Sequence, residues 1–434
     1  MTSKGKLVAA ALAAMLTAQL PGAAAAQELK ISNFSYRTGP FAATGIPLTN
    51  GLMDYFTLLN ERDGGIGGVK IDFAECETGY NAEKGIECYE KNKGDSIAVM
   101  PWSTGITLQL LPKTNEDRVP IILPGGGNSA MADGKVFQWV FNGPDSYWDA
   151  ASMMLQSVGG KDLSGLKGKK VGFLYLDIPF GREPIPFIEA KAKEVGFELV
   201  LVPVGIKEMQ NQSTQWLQIR RERPDYVLMW SWGAMNAAAV NEAIKTRFPI
   251  DRLVGTYWSA IDDDLQMAGD AGKGFRAISF TAPKPDAPVL AEVQKHVVDT
   301  GKSLSTEDQR AETLYQRGLA VSMMISQGIR AAQEHFGTSE INAEQMRWGM
   351  ENIDITEAIL EEAGMGGMLP PFKTSCTDHL GHSGGWILTW DGNRFQQSEE
   401  LFHAERDAIA KMEEEGAAAY AEANAPWPVQ TCDG

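Results

Sequence analysis

Basic side chains are scarce in this chain of 434 residues, which has 39 lysines and arginines against 56 aspartates and glutamates. The formal net charge of −17 repels polyanions. Nucleic acids and anionic bilayer surfaces are therefore not expected as partners, because both are recognised through basic patches that displace counterions. The length predicts two or three domains, with sizeable cores and room for a cleft between them.

Long apolar runs are absent after the first 26 residues, so no direct membrane insertion is expected there. Before that point, Lys4 and Lys6 precede the apolar stretch Leu7–Leu20, and Ala24–Ala26 form a small-residue cleavage site. This order is typical of a secretory signal peptide at residues 1–26. The alternative, a transmembrane anchor, requires about 20 apolar residues, and this stretch is shorter. The sequence predicts a soluble mature protein in an exported compartment, most simply a bacterial periplasm.

Cysteine is rare, with four residues at Cys76, Cys88, Cys376 and Cys432. In an exported protein an even number favours two disulfides, and proximity in the sequence favours the pairs Cys76–Cys88 and Cys376–Cys432. The alternative is a metal site formed by Cys376, His379 and His382, whose spacing would let them converge on one ion. That site lacks a fourth ligand, and oxidation would remove its thiolate. We therefore predict no metal and no other cofactor.

Motifs for nucleotide and serine chemistry are missing or incomplete. Gly125–Gly127 lack the Gly-Lys-Ser/Thr end of a phosphate-binding loop, and no G-x-G-x-x-G opens the first helix. Gly381–Gly385 match G-x-S-x-G around Ser383. A nucleophile elbow, however, needs a strand before the serine and a helix after it, and here a predicted strand follows. Asp391 and His403 come next in triad order, so an exported serine hydrolase is the alternative to our prediction that the protein is not an enzyme.

Short runs of β-branched and apolar residues alternate with segments of helical periodicity from Leu29 onward. This alternation is typical of an α/β fold in which parallel sheets are flanked by helices on both faces. The rhythm changes around 142–148 and again around 275–285, and helical pattern dominates after Asp286. The predicted strands are Leu29–Ser35, Val69–Ala74, Ile97–Met100, Val119–Leu123, Val136–Phe141, Val171–Leu176, Leu199–Val204, Tyr226–Trp230, Leu253–Tyr257 and Trp386–Trp390.

Two strand ends carry groups suited to an anionic ligand. Ligands of open parallel sheets bind beyond the carboxyl ends of strands, where helix N-termini offer unpaired N–H groups. Ser103 and Thr104 follow one predicted strand and are natural N-caps, and glycines in the loop Gly125–Ser129 let a ligand approach the backbone. Capped helices and glycine turns also occur without ligands, so each signal is weak alone. The candidate contacts are Trp102, Ser103, Thr104, Gly126, Asn128 and Ser129.

Three later strand ends are rich in aromatic residues, at Tyr175–Phe180, Trp230–Trp232 and Tyr257–Trp258. Trp230 and Trp232 are two residues apart, so in an extended chain they share a face. As the wall of a cleft these rings would enclose an apolar or aromatic ligand, whereas as core residues they would only close the edge of the sheet. We favour the cleft, because three successive strand ends share the feature.

An ordered set of motifs runs through the chain. These are Ser35–Pro40, Gly45, Gly51, Asn60, Gly64–Gly68 and Glu77 with Tyr80–Lys84, followed by Pro101–Gly105, Asp177–Gly181, Pro224–Tyr226 and Val254–Gly255. In this order they resemble type I periplasmic binding proteins of the branched-chain amino acid and amide transport class, over essentially the whole mature chain. The resemblance implies two Rossmann-like lobes joined by three hinge crossovers, a small molecule closed between them, and delivery to an inner-membrane ABC permease. A sensory protein that signals to a receptor is the alternative.

The resemblance also implies how the lobes are built and which residues bind. We expect a monomer whose first lobe comprises residues 27–144 and 280–360 and whose second lobe comprises residues 145–279 and 361–434. Ser103 and Thr104 match the family's carboxylate-holding pair, and Gly125–Ser129 match the adjacent loop. Phe180 stands where amino-acid binders have a tyrosine, and Trp232 where they have another aromatic residue.

One departure from the family pattern bears on the ligand. After Gly255 the amino-acid binders present a glutamate to the ligand's ammonium group, whereas this chain has Thr256–Trp258. Without a buried carboxylate an ammonium would stay desolvated, at a cost of roughly several kcal/mol. We therefore expect an aromatic or otherwise apolar carboxylate, with Arg37 as an additional cation at the cleft mouth. If Asp177 or Asp262 supplies the missing anion, the ligand is a branched-chain amino acid or amide instead.

Overall fold

The structure, a computed structural model, describes residues 28–381 and 384–432. The predicted signal peptide at residues 1–26 lies outside the described residues, and so do His382 and Ser383. Within the described ranges, no helix combines the length and the apolar character that crossing a membrane requires.

Strands and helices alternate along the chain. The strands are β1 (Leu29–Ser35), β2 (Ile71–Glu77), β3 (Ala98–Met100), β4 (Ile121–Ile122), β5 (Val140–Phe141), β6 (Lys170–Leu176), β7 (Glu198–Val204), β8 (Tyr226–Trp230), β9 (Leu253–Gly255), β10 (Arg276–Ser279), β11 (Asp354–Ile355), β12 (Phe372–Lys373), β13 (Gly385–Trp390) and β14 (Phe395–Phe402). The α-helices are α1 (Ala42–Arg62), α2 (Ala82–Asn92), α3 (Thr104–Asp117), α4 (Tyr147–Gly159), α5 (Pro179–Arg182), α6 (Ile185–Val195), α7 (Ser213–Glu222), α8 (Met235–Thr246), α9 (Asp262–Gln266), α10 (Pro288–Val293), α11 (Glu307–Ala311), α12 (Thr313–Phe336), α13 (Ala343–Glu351), α14 (Glu357–Glu362) and α15 (Arg406–Ala423).

The first five strands form one sheet in the order β2–β1–β3–β4–β5. Every neighbouring pair in it is parallel, as predicted. Ile31 and Phe34 project from opposite faces of β1, and both are fully buried. Helices therefore cover both faces of this sheet, and the carboxyl ends of its strands lie along one edge.

The second sheet has the order β14–β13–β10–β9–β8–β6–β7. Strands β6 to β10 are parallel, as predicted, and β13 and β14 add an antiparallel edge to the sheet. Neither β10 nor β14 was predicted from the sequence. Only Phe395 of β14 is buried. This edge strand lacks the apolar alternation that identifies a half-buried strand, because most of its side chains face water.

The chain passes between the two sheets three times: between β5 and α4, after β10, and between β12 and β13. These passages correspond to the three crossovers that the resemblance implied. The strand β11 pairs with β12, so the predicted lobe boundary at residue 360 falls between two segments that hydrogen-bond to each other. The exact lobe ranges remain a prediction.

Two glycines allow α12 to pack closely against α1. A Cβ atom on Gly51 would lie 2.0 Å from the carbonyl oxygen of Tyr315, and one on Gly318 would lie 2.4 Å from that of Leu48. Only glycine permits this backbone separation. The helix α12 thus belongs to the half of the molecule that contains the first sheet, although it follows strands β6 to β10 of the second sheet in the sequence.

Both predicted disulfides are present, linking Cys76 to Cys88 and Cys376 to Cys432. The alternative metal site is therefore wrong, because the sulfur of Cys376 is already bonded to another cysteine. His379 is buried instead, with Nδ1 2.8 Å from the carbonyl oxygen of Val140.

The positions of Asp391 and His403 do not fit the serine hydrolase alternative. Asp391 follows β13 and His403 follows β14, and these antiparallel strands pair Trp390 with Phe395 at one end and Gly385 with Phe402 at the other. Asp391 and His403 therefore lie at opposite ends of a hairpin roughly 17 Å long, at about 3.4 Å per residue. A triad built from these two residues cannot assemble.

Candidate ligand-binding site

A cavity lies between the two sheets, at the carboxyl ends of their strands. It encloses about 290 Å³, its opening to solvent included. The first half of the molecule lines it with Tyr36, Tyr80, Trp102, Ser103, Thr104, Leu123 and Gly126, and the second half with Tyr147, Phe180, Trp232 and Trp258. None of these described residues is acidic or basic. The cavity therefore suits a small ligand with a largely aromatic or apolar body.

Two aromatic residues of the first half that line the cavity have strained backbone conformations. Tyr80 follows β2 with φ of 64°, and Trp102 follows β3 with φ of 45°. Both values lie in the left-handed region, which is costly for bulky side chains and concentrates at functional sites. The indole N–H of Trp102 donates to Asn33 Oδ1 at 2.7 Å, which holds the ring in place.

Ser103 caps the helix that points its N-terminus at the cavity, as predicted. Its hydroxyl accepts a hydrogen bond from the N–H of Ile106 at 3.4 Å, and α3 begins at Thr104. The first turn of a helix leaves N–H groups without intrahelical partners and carries partial positive charge. This end of the cavity is therefore complementary to an anion.

Buried phenol groups supply further donors. Burial raises the pKa of the Tyr36 and Tyr147 hydroxyls well above the usual value near 10, and it raises that of Tyr80 to about 12. All three stay protonated at neutral pH, so each can donate a hydrogen bond to a carboxylate. Tyr147, from the second half, lies 2.9 Å from the hydroxyl of Thr104 in the first.

Indoles of the second half form another part of the cavity wall. The rings of Trp232 and Trp258 are 4.7 Å apart between centroids and cross at 70°. Tyr36 lies 6.1 Å from Trp232 across the gap between the halves. These separations are typical of edge-to-face packing, which also accommodates an aromatic ligand.

The two halves contact each other around the cavity. The carbonyl oxygen of Gly125 accepts hydrogen bonds from the Tyr257 hydroxyl at 2.9 Å and from the Trp258 indole at 3.2 Å. The N–H of Ser129 donates to Glu183 Oε1 at 2.8 Å. Burial raises the pKa of Glu183 to about 8, so this carboxyl is largely neutral at pH 7. These hydrogen bonds join the two halves at the boundary beside the cavity.

Several predicted site residues lie behind the cavity or away from it. Trp230 is fully buried and packs beneath Tyr147 and Phe180. The strand β8 ends at Trp230, and the two indoles have different ring neighbours: Tyr147 and Phe180 for Trp230, Tyr36 and Trp258 for Trp232. Tyr257 directs its hydroxyl at a backbone carbonyl instead of lining the cavity.

The polar side chains of the loop Gly125–Ser129 accept hydrogen bonds from backbone N–H groups of the protein. Asn128 accepts a hydrogen bond from the N–H of Ala130, and Ser129 Oγ accepts one from the N–H of Trp148. Of the loop residues proposed as contacts, Gly126 lines the cavity. Asn128 and Ser129 shape the loop without facing the cavity.

The proposed cation at the cleft mouth is wrong, as Arg37 is turned away from the cavity. Its guanidinium pairs with Glu75 and donates to Asn50, because β2 lies beside β1 and presents an acid to it. The proposed anions lie elsewhere too. Asp177 pairs with Arg182, and Asp262 accepts hydrogen bonds from the backbone and hydroxyl of Thr313.

Four cavity residues were missed by the sequence analysis: Tyr36, Tyr80, Leu123 and Tyr147. Tyr36 and Leu123 directly follow β1 and β4, and Tyr80 lies three residues after β2. The rule that ligands bind beyond strand ends would have selected them, had it been applied to every strand. Tyr147 opens α4 immediately after a crossover, a position that only the folded chain brings to the cavity.

Comparison with known proteins agrees with this architecture. The chain belongs to the periplasmic binding protein family, whose model matches residues 28–395. The resemblance to type I periplasmic binding proteins found in the motifs is thereby confirmed, and the protein is a solute-binding protein. No curated protein sequence matches the chain.

Solved structures extend the comparison. A crystal structure titled an ABC transporter permease from the Pseudomonas fluorescens group is 32% identical, with a TM-score of 0.86 over 94% of this chain and 100% of that one. A branched-chain amino acid ABC transporter from Thermus thermophilus with bound valine is 22% identical, with a TM-score of 0.73 over 88% and 98%. A solute-binding protein from R. palustris in complex with benzoate is 16% identical, with a TM-score of 0.65 over 87% and 97%. The last two share the fold alone.

Proposed function

We propose that this protein is the periplasmic substrate-binding component of an ABC importer of the branched-chain amino acid type, and that it captures a small aromatic or apolar carboxylate. The observation that carries the proposal is a cavity in which aromatic rings and hydroxyl donors face each other and no acidic or basic residue takes part. Its small size favours a small molecule over a peptide.

The acid end of the ligand lies at the N-terminus of α3. Helix N-termini bind carboxylates through free N–H groups and the helix dipole, and neighbouring hydroxyls add donors. Ser103, Thr104 and Tyr147 supply these hydroxyls. The ring of the ligand then packs between Trp232 and Phe180.

An ammonium group has no ion-pair partner in this cavity. Glu183, which joins the halves through the N–H of Ser129, is largely neutral at pH 7. Burying a charged amine without an anion costs roughly several kcal/mol. The proposal therefore favours carboxylates without an α-amino group over valine or leucine.

Binding proceeds by closure. A ligand first meets one half and then gains the contacts of the other, so its extra affinity for the closed form shifts the population towards that form. The hydrogen bonds from Tyr257 and Trp258 to Gly125 exist only when the halves are together. A permease then receives the surface that both halves present jointly.

Isothermal titration calorimetry tests the proposal with benzoate, 3-phenylpropionate, leucine and valine. The protein is unfolded and refolded beforehand to remove any co-purified ligand. We expect micromolar or tighter binding of at least one aromatic acid and at least a hundredfold weaker binding of both amino acids. Tight binding of leucine or valine would instead support the branched-chain amino acid alternative and would overturn the proposed ligand class.

A further inference from the structure

One buried cation lies close to the cavity without touching its interior. Arg317 on α12 is fully buried. Its guanidinium donates to Thr281 Oγ1 and Ser279 Oγ, each at 2.9 Å, and to the carbonyl oxygen of Tyr257 at 2.8 Å. All three acceptors are neutral. Among the residues that the structure describes, no carboxylate forms an ion pair with Arg317.

The guanidinium lies against the aromatic wall of the cavity. Its central carbon is 5.0 Å from the ring centroid of Trp258 and 5.7 Å from that of Tyr257. Trp258 also lines the cavity, so one indole separates the positive charge from the space for the ligand. Two buried acids also act on Tyr257: Asp145, which accepts a hydrogen bond from the N–H of Gly384, and Glu183, which accepts one from that of Ser129.

A buried charge without a counter-ion is costly, and its field extends further than that of a surface charge because little water screens it. Burial lowers the pKa of Arg317 to about 9, so the group is still positive at neutral pH. The residues that line the cavity contribute no charge of their own. Behind the wall, Asp145 and Arg317 act on Tyr257 in opposite directions, so a preference for an anion depends on the position of Arg317 against Trp258, which lines the cavity.

We propose that Arg317 is a specificity-determining residue that sets the sign of the charge accepted by the cavity, favouring a monoanion over a neutral or cationic analogue of the same shape. The inference rests on the proposed function and deepens it. The guanidinium acts through the rings of Tyr257 and Trp258 without touching the ligand. For charges about 8 Å apart at an effective dielectric constant of about 20, we expect a preference of tenfold to thirtyfold.

The test compares benzoate with benzamide, a neutral analogue of nearly the same shape, by calorimetry. In Arg317→Gln we expect benzoate to bind tenfold to thirtyfold more weakly while the affinity for benzamide changes less than threefold. In Arg317→Lys, which keeps the charge, the ratio of the two affinities stays within threefold of the wild type. If Arg317→Gln weakens the binding of both ligands equally, Arg317 acts only by positioning the segment that contains Tyr257 and Trp258. That result would overturn the proposal.

Two further variants separate charge from structure. The double variant Ser279→Ala/Thr281→Ala removes hydrogen bonds to Arg317 but leaves its charge, so the ratio is expected to persist. The double variant remains informative if Arg317→Gln does not fold. If it abolishes the difference between the benzoate and benzamide affinities although Arg317 keeps its charge, the proposal is overturned. Arg276→Gln is the matched control, since Arg276 likewise donates to backbone carbonyls but lies away from the cavity.

Failure of the proposed function gives a different result. If the wild-type protein binds neither benzoate nor benzamide, nor the other aromatic acids, the ligand class is wrong and the inference falls with it. If the wild-type protein binds benzamide as tightly as benzoate, the aromatic cavity stands and the role of Arg317 alone is overturned.

Discussion

The hydroxyl groups of Thr104 and Tyr147 lie 2.9 Å apart and come from different halves of the molecule. Thr104 opens α3 and Tyr147 opens α4, so this contact joins two helix N-termini across the cavity. Under the proposed function, a ligand carboxylate beside this pair would accept hydrogen bonds from both halves at once. The pair would then couple ligand binding to closure.

Removal of one hydroxyl tests this coupling. We expect Tyr147→Phe to weaken the binding of benzoate by about tenfold to a hundredfold, because a hydrogen bond to a charged acceptor contributes about 1.5–3 kcal/mol. The control is Tyr89→Phe, which also removes a buried tyrosine's hydrogen bond, to Asp117, but far from the cavity. Calorimetry should show no change in the control. An unchanged affinity in Tyr147→Phe would place the carboxylate elsewhere.

The two tryptophans at the end of β8 should respond differently to truncation. Trp232 lines the cavity, so Trp232→Ala is expected to weaken benzoate at least tenfold through loss of ring contact. Trp230 is core, so Trp230→Ala should cost about 3–5 kcal/mol of unfolding free energy with a smaller effect on affinity. Calorimetry and urea unfolding measure the two quantities. Equal losses of affinity would assign both indoles the same role.

The raised pKa of Glu183 predicts how stability depends on pH. Its pKa is about 8 when folded and near 4.5 when exposed, so the unfolded chain loses this proton first as pH rises. The contribution of Glu183 to stability is fully present below about pH 4.5 and is lost progressively up to about pH 8. Glu183→Gln removes the titration. We expect the variant to melt higher than the wild type at pH 8, with a much smaller difference at pH 4.5.

Thermal unfolding followed by circular dichroism at several pH values checks this expectation. A constant difference between Glu183→Gln and wild type over the whole range would mean that the carboxyl is ionised in the folded protein. The hydrogen bond from Ser129 would then be charge-assisted rather than neutral.

The two disulfides should contribute unequally to stability. The Cys376–Cys432 bond closes a separation of 56 residues and the Cys76–Cys88 bond one of 12. Loop-closure entropy then predicts losses of about 4 and about 3 kcal/mol when each pair is replaced by serine. Urea unfolding of the two double variants measures the difference. A larger loss for Cys76→Ser/Cys88→Ser would show that native contacts outweigh the entropy of the longer loop.

Local sequence patterns predicted much of this protein. The strands Leu29–Ser35 and Tyr226–Trp230 occur with the predicted bounds, and Ser103 caps its helix. These features depend on neighbours within a few residues, such as β-branched runs and a side-chain oxygen placed to accept from the third residue onward. The cysteine pairs could be predicted for a similar reason, since chain proximity favours them.

The errors arose where a side chain's surroundings depend on distant segments. Arg37 was expected at the cleft, but Glu75 on the adjacent strand β2 binds it. Trp230 was expected to share a face with Trp232, but the two indoles have different ring neighbours. The edge strand β14 escaped detection because its side chains lie mostly in water.

By itself, the sequence determined the alternation of strands and helices, the helix cap at Ser103, the disulfide pairing and the family, because each is written in short-range spacing or in motif order. Only the tertiary structure decided which rings line the cavity and that Arg317, more than 50 residues beyond Tyr257, lies behind its wall with no counter-ion among the residues that the structure describes. The physical reason is that burial and electrostatic fields depend on distance in space, and the chain crosses between its halves three times before those distances are set.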